Sequence, residues 1–158
     1  MTDDWVDFLF ALLDHQVRFL VVGAHALAAH GLPRATQDLD VWIDASVSNV
    51  ERVWQALGDF GAPVHSLGIT RSDLERPSTV IQFGLPPNRI DVLTSISGVP
   101  DFEAGWNTRI AQLIRGRQVP FLGREVLIAN KRAAGRPQDL ADVSRLEESP
   151  KRPSQDGR

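Results

Sequence analysis

The chain contains no cysteine, and only two of its 158 residues, Lys131 and Lys151, are lysines. Without cysteine it can form neither a disulfide bond nor a thiolate zinc site. No apolar run approaches the ~20 residues that a membrane-spanning helix needs. The acidic start Met-Thr-Asp-Asp also lacks the basic residues of a signal peptide. These absences predict a cytoplasmic protein with no membrane partner.

The composition is that of a folded protein of ordinary size. Apolar residues make up 42% of the chain and charged residues 23%, which argues against global disorder. We expect one domain over residues 1–147 and a disordered tail over 148–158, which is polar and contains two prolines. The formal net charge of −3 gives no overall sign of a nucleic-acid partner, although arginines cluster between 109 and 136.

Hydrophobic periodicity predicts alternating helices and strands. Strands are expected at 19–22, 38–43, 79–83, 89–93, 109–114 and 118–122, where short apolar or alternating runs occur. Helices are expected at 5–14, 24–29, 48–57, 101–107, 123–134 and 137–146. Ser48 with Glu51 three residues later predicts a capping box at the start of the third helix. This order predicts an α/β (α+β) fold.

Three acids follow from this assignment as candidate site residues. Asp38 and Asp40 lie two apart in an extended run, so their side chains leave the same face of the sheet. Asp91 lies in a later short apolar strand. Carboxylate clusters of this kind are typical sites for Mg²⁺, which is usually shared with substrate phosphates. We therefore predict that Asp38, Asp40 and Asp91 bind Mg²⁺ or Mn²⁺.

A glycine turn precedes these acids. The strand at 19–22 runs into Gly23 and then a helix, which leaves unpaired backbone N–H groups where a phosphate can approach. Asp38 and Asp40 would hold the metal against that phosphate, and Asp91 would take a proton from the attacking hydroxyl. Arg34, just before the acids, suits triphosphate binding. The alternative for Arg34 is an ion pair with Asp38 or Asp40.

The ordered combination resembles the nucleotidyltransferase superfamily of the polymerase-β type. Its signature is a hydrophobic-Gly-Gly/Ser turn, a helix, Asp-hydrophobic-Asp/Glu, and a third acid on a later strand. Within that superfamily, the runs Arg-Ala-Thr-Gln-Asp-Leu-Asp at 34–40 and Asn-Lys-Arg-Ala-Ala-Gly-Arg-Pro-Gln-Asp-Leu-Ala-Asp at 130–142 look like the small bacterial AbiEii-type branch, which includes toxins. The resemblance implies a nucleotidyltransferase fold, with a mixed twisted sheet flanked by helices.

The resemblance also implies roles for individual residues. Gly23 and Ala24 occupy the phosphate-turn positions, and Thr36 stands two before the first acid, where related toxins carry a hydroxyl residue. Lys131 matches a lysine expected near the nucleotide phosphates, with Asp139 to orient it. Ala24 departs from the pattern because it replaces the usual second Gly or Ser and lacks a serine hydroxyl.

The activity implied is transfer of a nucleoside monophosphate from an NTP, such as ATP, to an acceptor hydroxyl. The acceptor would be an RNA end, such as a tRNA, or a protein, and the protein would fit the toxin of a toxin–antitoxin pair with a cognate antitoxin. An alternative is an aminoglycoside-modifying enzyme, for which Asp101, Glu103 and Glu125 would be candidate acids for the polycationic acceptor. A second alternative is a non-catalytic nucleotide-binding or partner module, suggested by Ala24.

Overall fold

The computed structural model describes residues 1–148, so the tail predicted over 148–158 lies outside the described residues except for its first. The helices are α1 (Asp3–Asp14), α2 (Gly23–Ala29), α3 (Val47–Phe60), α4 (Phe102–Trp106), α5 (Arg124–Ala134) and α6 (Pro137–Glu148). The strands are β1 (Phe19–Val22), β2 (Asp38–Ile43), β3 (Val80–Phe83), β4 (Arg89–Leu93), β5 (Ile110–Ile114) and β6 (Arg117–Phe121). Within this range no helix is long and apolar enough to cross a membrane.

The six strands form one sheet in the order β3-β4-β2-β1-β6-β5. The β1–β6 and β2–β4 pairs are parallel, whereas β1–β2, β3–β4 and β5–β6 are antiparallel. The predicted mixed sheet flanked by helices is therefore confirmed. Three adjacent strands, β4, β2 and β1, bring together the segments that carry the candidate acids and the glycine turn.

Each face of the sheet buries its own core. On one face, Leu39, Val41 and Ile43 of β2 pack with the apolar sides of α1 and α3. On the other face, Trp42 is buried with residues of β1, α2, α5 and α6 and makes an edge-to-face contact with Phe102, their ring centroids 5.1 Å apart. Alternation along β2 therefore puts the predicted acids on the second face, beyond the end of its apolar core.

The predicted start of α3 is wrong. The helix begins at Val47 with Ser46 as its N-cap, and the Ser48–Glu51 capping box does not form. The reason is the buried side chain of Asn49, whose amide donates to the Asp44 carbonyl at 2.7 Å and whose Oδ1 accepts from Arg18 N at 2.8 Å. The start of α3 is thus fixed by a long-range hydrogen bond between Asn49 and Arg18, the residue just before β1.

Helix ends near the site follow local rules. Gly135 ends α5 in the left-handed conformation, at φ 69°, which is accessible to glycine without steric cost. Pro137 then occupies the first turn of α6, where its missing N–H costs no hydrogen bond. The tight turn folds α6 back beside α5 and places Lys131 on α5 opposite Asp139 on α6.

Candidate active site

The three predicted acids come together on the second face of the sheet, and we call them the acidic site. In the parallel β2–β4 pair, Asp40 lies directly opposite Asp91, and Asp38 lies opposite Arg89. Neighbouring strands are about 4.8 Å apart, so side chains at paired positions on one face are in reach of each other. Two stretches separated by fifty residues therefore supply carboxylates to one place.

Asp40 and Asp91 form a close carboxyl pair. Burial and the negative charge of Asp91 raise the pKa of Asp40 to about 7, and a hydrogen bond with Asp91 contributes to the shift. Gln82, opposite Asp91 in β3, donates through Nε2 to Asp91 Oδ1 at 2.9 Å. Two carboxylates this close are stabilised either by a shared proton or by a cation.

Asp38 is bound differently, by an arginine from the neighbouring strand. Arg89 Nη2 donates to Asp38 Oδ2 at 2.8 Å, and Arg89 Nε lies 2.7 Å from Asp38 Oδ1, close enough for an ion pair but without the alignment of a second hydrogen bond. The expected alternative partner, Arg34, does not contact Asp38 or Asp40 in any recorded ion pair. Thr36 Oγ1 instead accepts from the Asp38 backbone N at 3.1 Å and fixes the start of β2.

The predicted phosphate turn lies directly against the acidic site. Gly23 has φ +67°, and a Cβ built on it would be 2.2 Å from Asp40 Oδ2. Only glycine therefore lets the backbone of this turn approach the carboxylate so closely. Ala24 follows in the first turn of α2, and the helix has no side-chain cap at its N-terminus. Backbone N–H groups and carboxylates thus lie side by side.

A second group of charges, which we call the ionic cluster, contains Arg34, Lys131, Arg136, Asp139 and Asp142. The buried Lys131 Nζ lies 3.4 Å from both Asp139 Oδ1 and Asp142 Oδ2. The contact between Lys131 and Asp139 is the one that the sequence suggested. Arg136 adds a two-pronged contact to Asp139, with Nε donating to Oδ2 at 2.6 Å and Nη2 to Oδ1 at 3.1 Å.

Arg34 attaches the loop before β2 to the ionic cluster. Its guanidinium donates to both oxygens of Asp142, at 3.1 Å from Nη1 and 2.5 Å from Nη2, so the loop before β2 is held to α6. The alternative predicted for Arg34, an ion pair with Asp38 or Asp40, is therefore wrong, because the guanidinium pairs with Asp142. Hydrogen bonding to Arg136 lowers the pKa of Asp139. Burial raises the pKa of Asp142, but the hydrogen bond from Arg34 outweighs burial and the pKa of Asp142 is lowered.

The donor set of the acidic site fits a hard divalent cation, which favours carboxylate oxygens. Asp40 and Asp91 already face each other, and their mutual repulsion is what such a cation relieves. Within residues 1–148, however, no group of three His, Cys, Asp or Glu side chains is arranged to hold a metal. Asp38, the third expected ligand, is bound to Arg89 and would have to exchange that partner.

The late arginines do not form the free basic surface that their clustering suggested. Arg115 pairs with Asp3, Arg117 with Asp14, Arg124 with Glu125, and Arg132 with Glu147. Arg109 donates to the Trp106 carbonyl at 2.7 Å and lies over the ring of that residue. An ion pair neutralises the field that would attract a long polyanion.

Two neighbours of the site were not predicted as site residues. Gln82 reaches Asp91 because the β3–β4 hairpin places the two opposite each other. The register of that hairpin, read from the turn at 84–88, is the signal that could have identified it. Asp142 was not among the predicted site residues either. Its partner Arg34 is 108 residues away, and no local pattern indicates that contact.

No protein-family model matches the chain, and no curated protein matches it. Solved structures do match. A protein from Thermotoga maritima provisionally described as a nucleotidyltransferase is 15% identical, with a TM-score of 0.58 over 90% of this chain and 86% of that one. The lincosamide antibiotic adenylyltransferase LnuA, with lincomycin bound, is 12% identical, with a TM-score of 0.55 over 95% and 98%.

The antibiotic-resistance factor ANT(2″)-Ia is 16% identical, with a TM-score of 0.52 over 90% of this chain and 80% of that one. At these identities the similarity concerns the fold. All three proteins have names that include nucleotide transfer or antibiotic resistance, and each covers most of the described chain. The six-stranded mixed sheet flanked by helices is therefore a nucleotidyltransferase fold.

Proposed function

We propose that the protein is a nucleotidyltransferase that moves a nucleoside monophosphate from an NTP to an acceptor hydroxyl and releases pyrophosphate. The observation that carries the proposal is the pair Asp40 and Asp91, face to face on neighbouring strands, with the backbone of Gly23 against Asp40. In this arrangement carboxylates and phosphate-binding N–H groups are adjacent. Such an arrangement requires a cation between them when a phosphate is present.

The proposed roles follow from these positions. Asp40 and Asp91 hold Mg²⁺ or Mn²⁺, and Asp38 joins them when it leaves Arg89. The bound ion supplies charge neutralisation and alignment of the attacking and leaving oxygens. Gly23 and Ala24 offer backbone N–H groups to the triphosphate. Thr36 fixes the start of β2 through the backbone of Asp38, and so orients the first acid.

The ionic cluster provides the second half of the proposed nucleotide site. It contains three cations, Arg34, Lys131 and Arg136, but only two carboxylates, so it keeps an excess positive charge. Arg136 is 76% exposed and can reach an anion without disturbing the buried core of the cluster. Asp139 and Asp142 hold Lys131 in place from both sides. In this proposal the excess positive charge of the ionic cluster binds the triphosphate.

For the acceptor we favour an RNA end such as a tRNA, or a protein hydroxyl, in line with the AbiEii-like motifs at 34–40 and 130–142. The toxin role and a cognate antitoxin belong to this proposal. The paired late arginines favour an acceptor that presents a single hydroxyl end rather than a long backbone. The proposal thus concerns terminal or side-chain hydroxyls.

Antibiotic modification is the second candidate, because two of the similar structures are named for antibiotic adenylylation or resistance. The acids considered for a polycationic antibiotic are already engaged, however. Asp101 caps α4 by accepting from Ala104 N at 2.9 Å, Glu103 pairs with Arg18, and Glu125 pairs with Arg124. A polycation would find little uncompensated negative charge there, whereas a neutral antibiotic hydroxyl is compatible with these contacts.

The test is a transfer assay with each α-labelled NTP, Mg²⁺ or Mn²⁺, and three acceptor classes: total tRNA, cell-extract protein, and a panel of antibiotics. The double variant Asp38→Ala/Asp40→Ala is the negative control. Glu51→Gln, which removes an exposed acid of α3 paired with Arg71, is the matched control for lost surface charge. Label that moves to one class with wild type and Glu51→Gln, but not with the double variant, establishes the reaction.

A different result would favour the non-catalytic alternative. If no acceptor is labelled, but NTP with Mg²⁺ raises the melting temperature of wild type and not of the double variant, the chain binds nucleotide without transferring it to these acceptors. Ala24, which lacks the serine hydroxyl of the usual turn, would then be the first position to change. Gain of transfer in Ala24→Ser would assign the defect to the turn.

A further inference from the structure

Among the described residues, Arg89 is the one cation that forms an ion pair within the acidic site, and its backbone is fixed on both sides. Its N–H donates to the Gln37 carbonyl at 3.2 Å, and its carbonyl accepts from Trp5 Nε1 at 3.1 Å. The side chain, by contrast, is 35% exposed, and within residues 1–148 its ion pair is with Asp38. The guanidinium can therefore move while β4 stays in place.

The partners of the three acids differ in charge. Gln82 holds Asp91 with a neutral amide, and Asp40 has the Asp91 carboxyl as its neighbour, so the charge of Arg89 acts on both only from a distance and neither forms an ion pair with it. Asp38 alone has a full counter-ion, bound through two contacts. The pairing of Asp38 with Arg89 is built into the sheet because the two residues are register partners in β2 and β4.

We infer that Arg89 is a positioning residue that holds Asp38 in the cation-free protein, competes with a divalent cation for it, and is released towards the substrate phosphates when the cation binds. The inference deepens the proposed function, from which the cation and the triphosphate come. Two positive groups cannot share the same carboxylate at close range without repulsion. Binding of the ion by all three acids therefore weakens the contact between the Arg89 guanidinium and Asp38 and favours release of the guanidinium.

The release gives Arg89 a second task. Guanidinium groups bind phosphate oxygens through the same two-pronged geometry that they use with carboxylates. A freed Arg89 stays on β4, two residues before Asp91. In the proposed function the phosphates of a bound NTP lie beside Asp91, within reach of that side chain. The same substitution should thus have opposite effects on two ligands: it should strengthen binding of the bare cation and weaken binding of NTP. A residue that only stabilises the fold would not produce opposite signs.

The first measurement is the affinity of the full chain for Mn²⁺ alone, from the free Mn²⁺ signal in electron paramagnetic resonance. Arg89→Gln is compared with wild type, with Asp40→Asn as the background, and with Arg71→Gln, which loses an exposed ion pair to Glu51 on α3. We expect Arg89→Gln to bind Mn²⁺ at least about fivefold more tightly, the factor that one partly exposed ion pair contributes. Arg71→Gln should stay within about twofold of wild type.

Arg89→Lys refines the comparison because it keeps the positive charge but loses the planar guanidinium, which can donate two parallel hydrogen bonds. Its Mn²⁺ affinity should lie between those of wild type and Arg89→Gln. The inference is overturned if Arg89→Gln binds Mn²⁺ no better than wild type, or no better than the Asp40→Asn background. Loss of NTP binding in Arg89→Gln, measured with Mg²⁺ by calorimetry, is the expected companion result. Unchanged NTP affinity would refute the second task of Arg89.

A measurement on the unaltered protein guards against a variant that fails to fold. The Nε–H resonance of Arg89 is followed by NMR during a titration with Mg²⁺. We expect it to shift and to exchange faster with water as the contact to Asp38 opens, and a resonance unaffected by saturating Mg²⁺ overturns the inference. If both metal results hold while no NMP transfer occurs, the proposed function fails and the competition between Arg89 and the cation stands.

Discussion

The substitution Gly23→Ala tests the contact between the turn and the acidic site. The added Cβ would stand 2.2 Å from Asp40 Oδ2, so the carboxylate or the turn must move by about 1 Å to relieve the overlap. The left-handed φ of +67° adds a backbone cost of about 1–2 kcal/mol for any residue with a Cβ. A displacement of this size at reacting groups costs about 100-fold in rate.

Gly61→Ala is the matched control. Gly61 follows α3 at φ +85°, and an added Cβ there has no atom within 4 Å. It therefore carries the left-handed backbone cost without the clash at Asp40. We expect both variants to lose about 1–2 kcal/mol in the free energy of unfolding, measured by urea denaturation. Only Gly23→Ala should also lose NMP transfer and Mn²⁺ binding.

The comparison of Gly23→Ala with Gly61→Ala separates the effect of backbone strain from the effect of moving the Asp40 carboxylate. If Gly61→Ala loses transfer to the same degree as Gly23→Ala, the effect is a general loss of folded protein. If Gly23→Ala keeps wild-type transfer and Mn²⁺ affinity, the backbone of the turn does not need to lie against Asp40. Either result would refute the reasoning, because the reasoning attributes the loss to one carboxylate being moved out of place.

Three further predictions concern the charged groups. Because burial and Asp91 raise the pKa of Asp40 to about 7, the contribution of protonated Asp40 to the stability of the metal-free wild type should be fully present below about pH 4 and be lost as pH rises through 7. Asp40→Asn should therefore gain about 2–4 kcal/mol relative to wild type between pH 4 and 8, measured by urea denaturation; a pH-independent difference would contradict this. Lys131→Met leaves the buried Asp139 and Asp142 with only their arginine partners, and should lower the free energy of unfolding by about 2 kcal/mol; a loss under about 0.5 kcal/mol would exclude a structural role for the buried amine. Arg34→Met removes one of the two cationic partners of Asp142, whose pKa is lowered, so the destabilisation by this variant should be present at pH 7 and vanish as pH falls below about 4; persistence at acid pH would mean that packing dominates.

The parts of the fold that follow from local sequence were predicted well. The strands β1, β2 and β4 coincide with the predicted ranges, because short apolar or alternating runs end at glycine, polar loops or turns. The remaining strands lie within one residue of their predicted ranges, and β3–β4 and β5–β6 pair as hairpins around the glycine-containing turns at 84–88 and 115–116. Alternation along β2 also gave the correct face for Asp38 and Asp40.

Long-range partners were not predictable in the same way. The start of α3 depends on Asn49 contacting Arg18, 31 residues earlier, and this overrides the Ser48–Glu51 pattern. The partner of Arg34 is on α6, although the nearest acids along the chain are Asp38 and Asp40. A charged side chain can satisfy its pairing with any acid that the fold brings near, so sequence proximity is a weak guide to ion pairs.

The contacts of Arg34 also explain why the two charged groups act as one site in our proposal. Arg34 and Thr36 belong to the same short loop, and one of them holds α6 while the other fixes the first acid of β2. A movement of α6 would therefore displace Asp38 through the short backbone segment that carries Arg34 and Thr36. Lys131 and Arg136 lie at the far end of that connection, on α5 and just before α6. Phosphate binding at the ionic cluster would compete with Asp142 for Arg34, much as a divalent cation would compete with Arg89 for Asp38. In both groups an arginine–aspartate pair occupies the position that a ligand of the proposed reaction would take, which keeps the opposing charges neutralised until that ligand arrives.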